Sequence, residues 1–460
     1  MYKIDFKAPC HIFFLGIGGI SMSGLAELLF QKGFTVSGSD RQASDLTRAL
    51  EAKGITVQYG ESASHITSDI DCAVLTSAVK ETNLEFQAIR EMGIPWLSRA
   101  QLLGQLMKNY DTSAAISGTH GKTTTTSMIS EILLHAGTDP TLSIGGILNT
   151  IGGNIRIGEG PCFVTEACEY TNSFLSLSPT IGIILNIEED HLDFFKDLTD
   201  IRRSFRKFAE LIPAEGCLII NADIPDYREI SDGLPCRVIT WSLGDAPADY
   251  YPEQVTCDDL GRPSFTLHSP EAEAQHFRLQ VPGLHNVSNA IAAIALADCL
   301  SVDRADSFEA LAGFSGTARR FEYKGSVGGI TIIDDYAHHP TEITATLSAA
   351  EKYPHKTLWC VFQPHTYSRT KALLKDFARA LCLADKVVLA DIYAARETDS
   401  LGISSETLQN EIRALGHECF YFPSFDEIEN FLLENCIKGD LLITMGAGDV
   451  LKIGENLLGL

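Results

Sequence analysis

The sequence predicts an α/β protein of three domains, each built on a mostly parallel sheet. Short apolar runs of strand length alternate with amphipathic helical segments from end to end. Three of these runs, ending near residues 15, 117 and 334, lead into glycine-rich or polar turns that open helices. The length, 460 residues, also exceeds what one hydrophobic core usually supports.

Composition bounds the function. Hydrophobic residues make up 45% and charged residues 21%, the balance of a soluble globular chain. The longest apolar stretches, such as 181–185, are strand-sized, so no membrane association is expected. The first residues lack an apolar signal core, and none of the twelve cysteines forms a CxxC pair; a reducing, cytoplasmic setting is expected. A net charge of −24 argues against nucleic acid as a partner. An anionic ligand would therefore need local cations and helix N-termini.

The first unit, 1–108, opens with a strand at 11–15, the turn Gly16-Ile17-Gly18-Gly19-Ile20-Ser21 and a helix through Leu25 and Leu29. Strands at 34–37, 73–76 and 94–97 follow, and Asp40 ends the second of the unit's strands. This is the order of a Rossmann-like domain. The glycine turn suits a diphosphate without choosing between NAD, FAD and a nucleotide sugar, and a ligand-free tight turn also fits. Asp40 stands at a distance suited to a ribose or base.

The second unit, 109–315, carries the most informative segment, Ser117-Gly118-Thr119-His120-Gly121-Lys122-Thr123-Thr124-Thr125. A strand feeds a glycine turn, then Lys-Thr, then a helix. Glycines let backbone N–H groups approach a triphosphate, Lys122 reaches its terminal phosphates and Thr123 can ligate Mg²⁺. The pattern GxxxxGK[ST] is not met strictly, because position 116 is Ile. Strands at 163–165, 181–186 and 218–221 continue a P-loop-type domain, and a helix over 285–300 ends it. The stretch 243–263, rich in Pro, Gly and Asp, reads as turns and hairpins. Glu166 leaves a strand end where it could hold Mg²⁺, although a solvated pair with Glu169 also accounts for it. Asp190, His191 and Asp193 follow the apolar strand 181–185, as a metal or substrate site or as a helix cap. Asn286 and Asn289, one helical turn apart, could share a face toward an adenine edge.

The third unit, 316–460, alternates strands at 330–334, 358–362, 387–390 and 441–444 with helices, giving another parallel, Rossmann-like sheet. Polar clusters follow the four strands at 334–342, 363–370, 391–397 and 446–449. Four clusters along one sheet edge read as a site.

In this order the segments resemble the bacterial muramyl (Mur) ligases over nearly the whole chain. The resemblance rests on GIGGISMSGLAELL at 16–29, SGTHGKTTT at 117–125, EACEYTNSFL at 166–175, NIEEDHLD at 186–193, PGLHNVSNA at 282–290, DDYAHHPTEI at 334–343, QPHTYSRT at 363–370 and GAGD at 446–449. It implies ATP-dependent joining of L-alanine to the carboxylate of UDP-N-acetylmuramate in peptidoglycan precursor synthesis, with Mg²⁺, in a monomer or homodimer. By position, it implies that Gly16, Gly18, Gly19, Ser21 and Asp40 bind the UDP-sugar. Gly118, Thr119, His120, Gly121, Lys122, Thr123 and Thr124 would cradle ATP. Asn286 and Asn289 would contact adenine, while Arg320 and Asp335 would bring the third domain onto the nucleotide. Lys122, His120, Glu166 and His191 would carry catalysis, with Thr123 and Glu166 on one Mg²⁺ and His191 on a second. Tyr336, His365 and Arg369 would receive alanine.

Three positions stand out against the family pattern. Cys168 stands where many relatives have Asp, and Thr366 where some have Arg. Sister ligases use a carbamylated lysine near the position of Phe205, so no such modification is expected. Attachment of a whole tripeptide to the same sugar is the nearest alternative, and Gly19-Ile20-Ser21-Met22 favours alanine addition. An NAD-dependent oxidoreductase leaves the Lys122 loop without a role, and a non-catalytic regulator leaves three ligand-facing sheets unexplained.

Overall fold

A computed structural model describes residues 2–76, 78–244, 246–270, 272–395 and 397–460. Asp245, in the predicted hairpin stretch, and Arg396, in the third polar cluster of the last unit, lie outside the described residues.

In the first unit β1 (His11–Leu15), β2 (Thr35–Asp40), β3 (Thr56–Tyr59), β4 (Cys72–Leu75) and β5 (Trp96–Ser98) form a parallel sheet in the order β3-β2-β1-β4-β5. The strand order reverses between β1 and β4, which places the Gly16–Gly19 turn at the crevice where such sheets bind ligands.

The second unit contains β6 (Thr112–Ser117), β7 (Thr141–Leu148), β8 (Gly153–Arg156), β9 (Cys162–Glu166), β10 (Ile181–Ile184), β11 (Cys217–Asn221) and β12 (Arg237–Trp241). Their order is β12-β11-β10-β6-β9-β7-β8, with only β7 and β8 antiparallel. β6 lies in the middle of this sheet, so its carboxyl end, with the Lys122 loop, is flanked by the ends of β9 and β10. The expected hairpins are an antiparallel sheet of β13 (Tyr251–Cys257), β14 (Pro263–Ser269) and β15 (Ala272–Arg278).

The third unit has β16 (Glu322–Val327), β17 (Ile330–Asp335), β18 (Leu358–Phe362), β19 (Lys386–Leu389), β20 (Cys419–Tyr421) and β21 (Leu441–Met445), ordered β16-β17-β21-β18-β19-β20. The purely parallel expectation is corrected at one edge: β16 runs antiparallel to β17 through a two-residue turn, Gly328-Gly329, with Val327 opposite Ile330.

The seams between units differ in chemistry. One apolar cluster runs from Leu102, Leu103 and Leu106 of the first unit into Phe163, Phe174 and Phe208 of the second. Phe205, the position compared with the sister ligases' lysine, is buried there, with its ring 5.3 Å from that of Phe174. The two apolar clusters of the third unit contain only its own residues, among those described. Its contacts with the second unit around the site are polar.

Gly104 marks the apolar seam. A Cβ there would lie 1.9 Å from the carbonyl oxygen of Ser176, a backbone atom that cannot swing aside. Gly104→Ala is expected to destabilise the protein by about 1–3 kcal/mol. A chemical denaturation midpoint equal to that of the unaltered chain would show the seam to be loosely packed.

Candidate functional site

The Lys122 loop is shaped for an anion. The helix Lys122–His135 begins after Gly121, whose φ of 82° is left-handed and which has no side-chain cap. A Cβ at Gly121 would also stand 2.8 Å from Asn289 Oδ1, so glycine is required twice over. Asn186 braces the loop: its Oδ1 accepts from the His120 N–H at 2.7 Å and its Nδ2 donates to the His120 carbonyl at 3.1 Å. Thr123 is buried and Thr124 half-buried in the first turn. Lys122 Nζ bends back over the loop, donating to the carbonyl oxygens of Gly118 and, at 3.0 Å, Thr119. It also pairs with Glu169 at 3.0 and 3.3 Å. Burial opposes the lysine's charge, but Glu169 outweighs it and the pKa is raised.

The predicted metal residues fall in two places. Glu166, at the end of β9, accepts from the Gly145 N–H at 2.6 Å and hydrogen-bonds Thr123. Burial raises its pKa, and it makes no ion pair among the described residues. A half-buried carboxylate beside a hydroxyl, with no ion pair of its own, fits a hard divalent ion. His191 lies on the side of Asp190 and Glu169, 3.6 and 3.9 Å from their oxygens, with its ring stacked 4.4 Å from that of Tyr170. Burial holds its pKa down, so the imidazole is a neutral donor atom.

His120 faces the third unit. Its Nδ1 is 3.3 Å from Glu342 and its Nε2 3.5 Å from Glu188, and its ring centroid lies 4.6 Å from that of His339. Burial alone would lower its pKa; the two glutamates raise it to about 9, so it is an imidazolium at neutral pH. His120, Glu188 and His339 are also close enough to hold a metal ion, but a proton on His120 already meets the glutamates' charge. Thr341 donates to Glu188 at 2.6 Å, and His339 Nε2 lies 3.1 Å from the Glu189 carbonyl.

Arg369 crosses the same seam to Asp190, at 3.1 Å, and donates to His365 Nδ1 at 3.2 Å. Burial would raise the Asp190 pKa, yet Arg369 and His191 hold it well below the usual carboxylate range. The predicted alanine-carboxylate partner thus rests on a carboxylate of the protein. Thr366, at φ 65°, caps the short helix that carries Arg369. Tyr336 has the guanidinium groups of Arg319 and Arg320 over its ring at 4.8 and 5.3 Å. Arg320 also approaches Glu342 at 3.9 Å. Asp335 is anchored by the N–H groups of Phe321 and Ala337 and by Thr346, and burial lifts its pKa to about 6.

Asn286 and Asn289 do share a face, and Asn289 Nδ2 donates to Asn286 Oδ1 at 3.0 Å beside Gly121. In the first unit Asp40 braces the glycine turn, accepting from the Gly18 N–H at 2.8 Å. Gly16 bonds back to the Ser39 carbonyl, Gly19 starts a helix without a side-chain cap, and Ser21 is exposed.

A cleft of about 1390 Å³ lies between the three units, lined by Gly19 and Ser21 of the first unit, Cys168 and His191 of the second, and Tyr336 and Arg369 of the third. The thiol of Cys168 is held protonated by the surrounding protein and Glu169, against the pull of Lys122. Sequence reasoning left Glu169, Glu188, Asn186 and Glu342 without roles; each stands inside a quoted motif, but its partner is distant in sequence.

A lysine-bearing loop at a bare helix N-terminus, with a half-buried carboxylate free of ion pairs at its first turn and a cleft shared by three units alongside, defines a nucleotide-phosphate-binding α/β protein. Comparison with known families narrows this. Residues 11–111 match the catalytic domain of the Mur ligase family, 116–297 the Mur ligase middle domain and 319–448 the Mur ligase glutamate ligase domain. The chain belongs to the Mur ligase family. It is 60% identical over 458 residues to the UDP-N-acetylmuramate–L-alanine ligase of Agathobacter rectalis, covering 100% of both chains. The crystal structure of the UDP-N-acetylmuramate–alanine ligase of Thermotoga maritima is similar with a TM-score of 0.80 at 30% identity, over 98% of each chain. A murein peptide ligase of Psychrobacter arcticus has a TM-score of 0.71 at 27% identity, again over 98% of each. No helix among the described residues is long and apolar enough to cross a membrane.

The His120 seam has a defined pH signature. Because its folded pKa is raised from 6.5 to about 9, its stabilising contribution is complete below about pH 6.5 and is lost as pH rises through about 9. The melting temperature of the unaltered protein is therefore expected to converge on that of His120→Gln across this window. A gap that stays constant would place the proton elsewhere.

Proposed function

We propose that the chain is an ATP-dependent ligase that joins L-alanine to the carboxylate of UDP-N-acetylmuramate. The reading is carried by end-to-end identity of 60% with a protein of that name, and it is supported by the anion-shaped Lys122 loop and by a cleft lined by all three units.

The chemistry follows from the side chains. The muramyl carboxylate attacks the γ-phosphorus of ATP; ADP departs and an acyl phosphate remains. The amine of alanine then attacks the acyl carbon, losing a proton as phosphate leaves and the amide forms. Lys122 exchanges Glu169 for the β- and γ-phosphates, where its charge offsets the approach of two anions. Backbone N–H groups at the start of its helix take the phosphate oxygens. Thr123 and Glu166 would hold one Mg²⁺ and His191 a second, and Mg²⁺ would supply charge neutralisation at the transferring phosphoryl group. His120, charged between its glutamates, faces the carboxylate. Arg369 offers its remaining N–H groups to the carboxylate of alanine beside Tyr336 and His365. The third unit, closed by Arg369, Thr341 and His339, excludes water that would otherwise hydrolyse the acyl phosphate.

Phosphate release from UDP-N-acetylmuramate, ATP and Mg²⁺ is expected to depend on L-alanine and to yield the amide. Preference for a murein tripeptide over L-alanine would move the chain to peptide recycling. Lys122→Ala is expected to lower kcat by at least about 10²- to 10³-fold while UDP-N-acetylmuramate still binds. Loss of sugar-nucleotide binding in that variant would contradict the division of labour between the two loops.

A further inference from the structure

Among the described residues, Arg99 and Arg369 line the cleft, and Arg369 and the cations just behind it are matched to acceptors. Lys122 has Glu169, Arg369 has Asp190, and Arg320 approaches Glu342. The exception is Arg99, the first residue of the helix Arg99–Met107 that follows β5, which lines the same cleft. Its guanidinium has no hydrogen-bond or ion-pair partner among the described residues. A half-buried guanidinium without an acceptor is unfavourable, since five N–H donors lose water and gain nothing in return. Burial lowers its pKa, the direction expected of a cation that has lost water without gaining an anion.

Its placement indicates what would complete it. β5 lies two strands from β1 in the sheet, so Arg99 and the Gly16–Gly19 turn stand at the same carboxyl edge. Cys168 lines the same cleft, and its thiol feels both Arg99 and Lys122. Arg99 therefore shares a cleft with the loop suited to a diphosphate and lies toward the loop suited to a triphosphate. Building on the function proposed above, we propose that Arg99 binds an anionic group of the sugar nucleotide, its diphosphate or its muramyl carboxylate. A planar fork suits either, because both present paired oxygens. The role is one of binding and placement: it would hold the sugar nucleotide so that its carboxylate reaches the phosphates at Lys122.

The test compares the unaltered full chain with Arg99→Gln and Arg99→Lys by titrating UDP-N-acetylmuramate and, separately, UDP, with KM for ATP and melting temperature measured alongside. Arg99→Gln is expected to weaken UDP-N-acetylmuramate binding roughly 10- to 100-fold, the loss typical of a charged hydrogen-bonded contact. KM for ATP should be unchanged, and the melting temperature should be equal or higher, because an unmatched charge has been removed. Arg99→Lys should fall between the two, and it decides the matter if the glutamine variant does not fold. An equal loss of UDP affinity assigns Arg99 to the diphosphate; UDP affinity left intact assigns it to the carboxylate. Unchanged UDP-N-acetylmuramate affinity in both variants, with normal turnover in the unaltered chain, overturns the role of Arg99 alone. Failure of the unaltered chain to bind UDP-N-acetylmuramate overturns the proposed function with it.

Discussion

The arrangement of the site depends on one buried ion pair, Lys122 with Glu169, at 3.0 Å. A protein of net charge −24 has to receive a triphosphate, a diphosphate and two carboxylates in a single cleft. Its cations must be present before the ligands arrive, yet a buried cation without a partner is costly. Here the cost is met by internal carboxylates: Glu169 holds Lys122, Asp190 holds Arg369, and Glu188 and Glu342 hold His120. Each pair keeps a donor charged and aimed while nothing is bound, and an entering anion exchanges with a carboxylate instead of stripping water from a bare cation.

This storage also explains why the site is divided among three units. The Lys122 loop, the glycine turn and the Arg369 helix lie at the carboxyl edges of separate sheets, where strand ends project their side chains. Neither Asp190 nor Glu188 satisfies its third-unit partner unless the second and third sheets face each other. Closure and charge matching are therefore the same event, and the imidazolium of His120, its ring beside that of His339, lies in the middle of it.

Much of this was legible in the chain. The two glycine loops, the order of strands and helices, and the polar clusters of the third unit are local patterns whose spacing announces the backbone geometry. What stayed hidden depends on partners far apart: Arg369 and Asp190 are 179 residues apart, and Thr341 and Glu188 are 153 apart. Glu169 reads in the sequence as half of a solvated pair with Glu166, yet β9 ends at residue 166 and the turn that follows points Glu169 at Lys122. The antiparallel β16 was missed despite a readable signal, since Gly328-Gly329 between two short β-prone runs is a two-residue hairpin turn. Asp40 was read for its distance from the glycine loop as a ligand contact, and it also braces that loop.

The unlike seams of the molecule carry a further consequence. Salt acts on them unequally. An excluded salt such as sulfate strengthens apolar burial between the first and second units, whereas the pairs that join the third unit to the second, Arg369 with Asp190 above all, are largely buried and screened little by dissolved ions. Concentrated sulfate thus stiffens the joint of the first two units more than it alters the closure of the third.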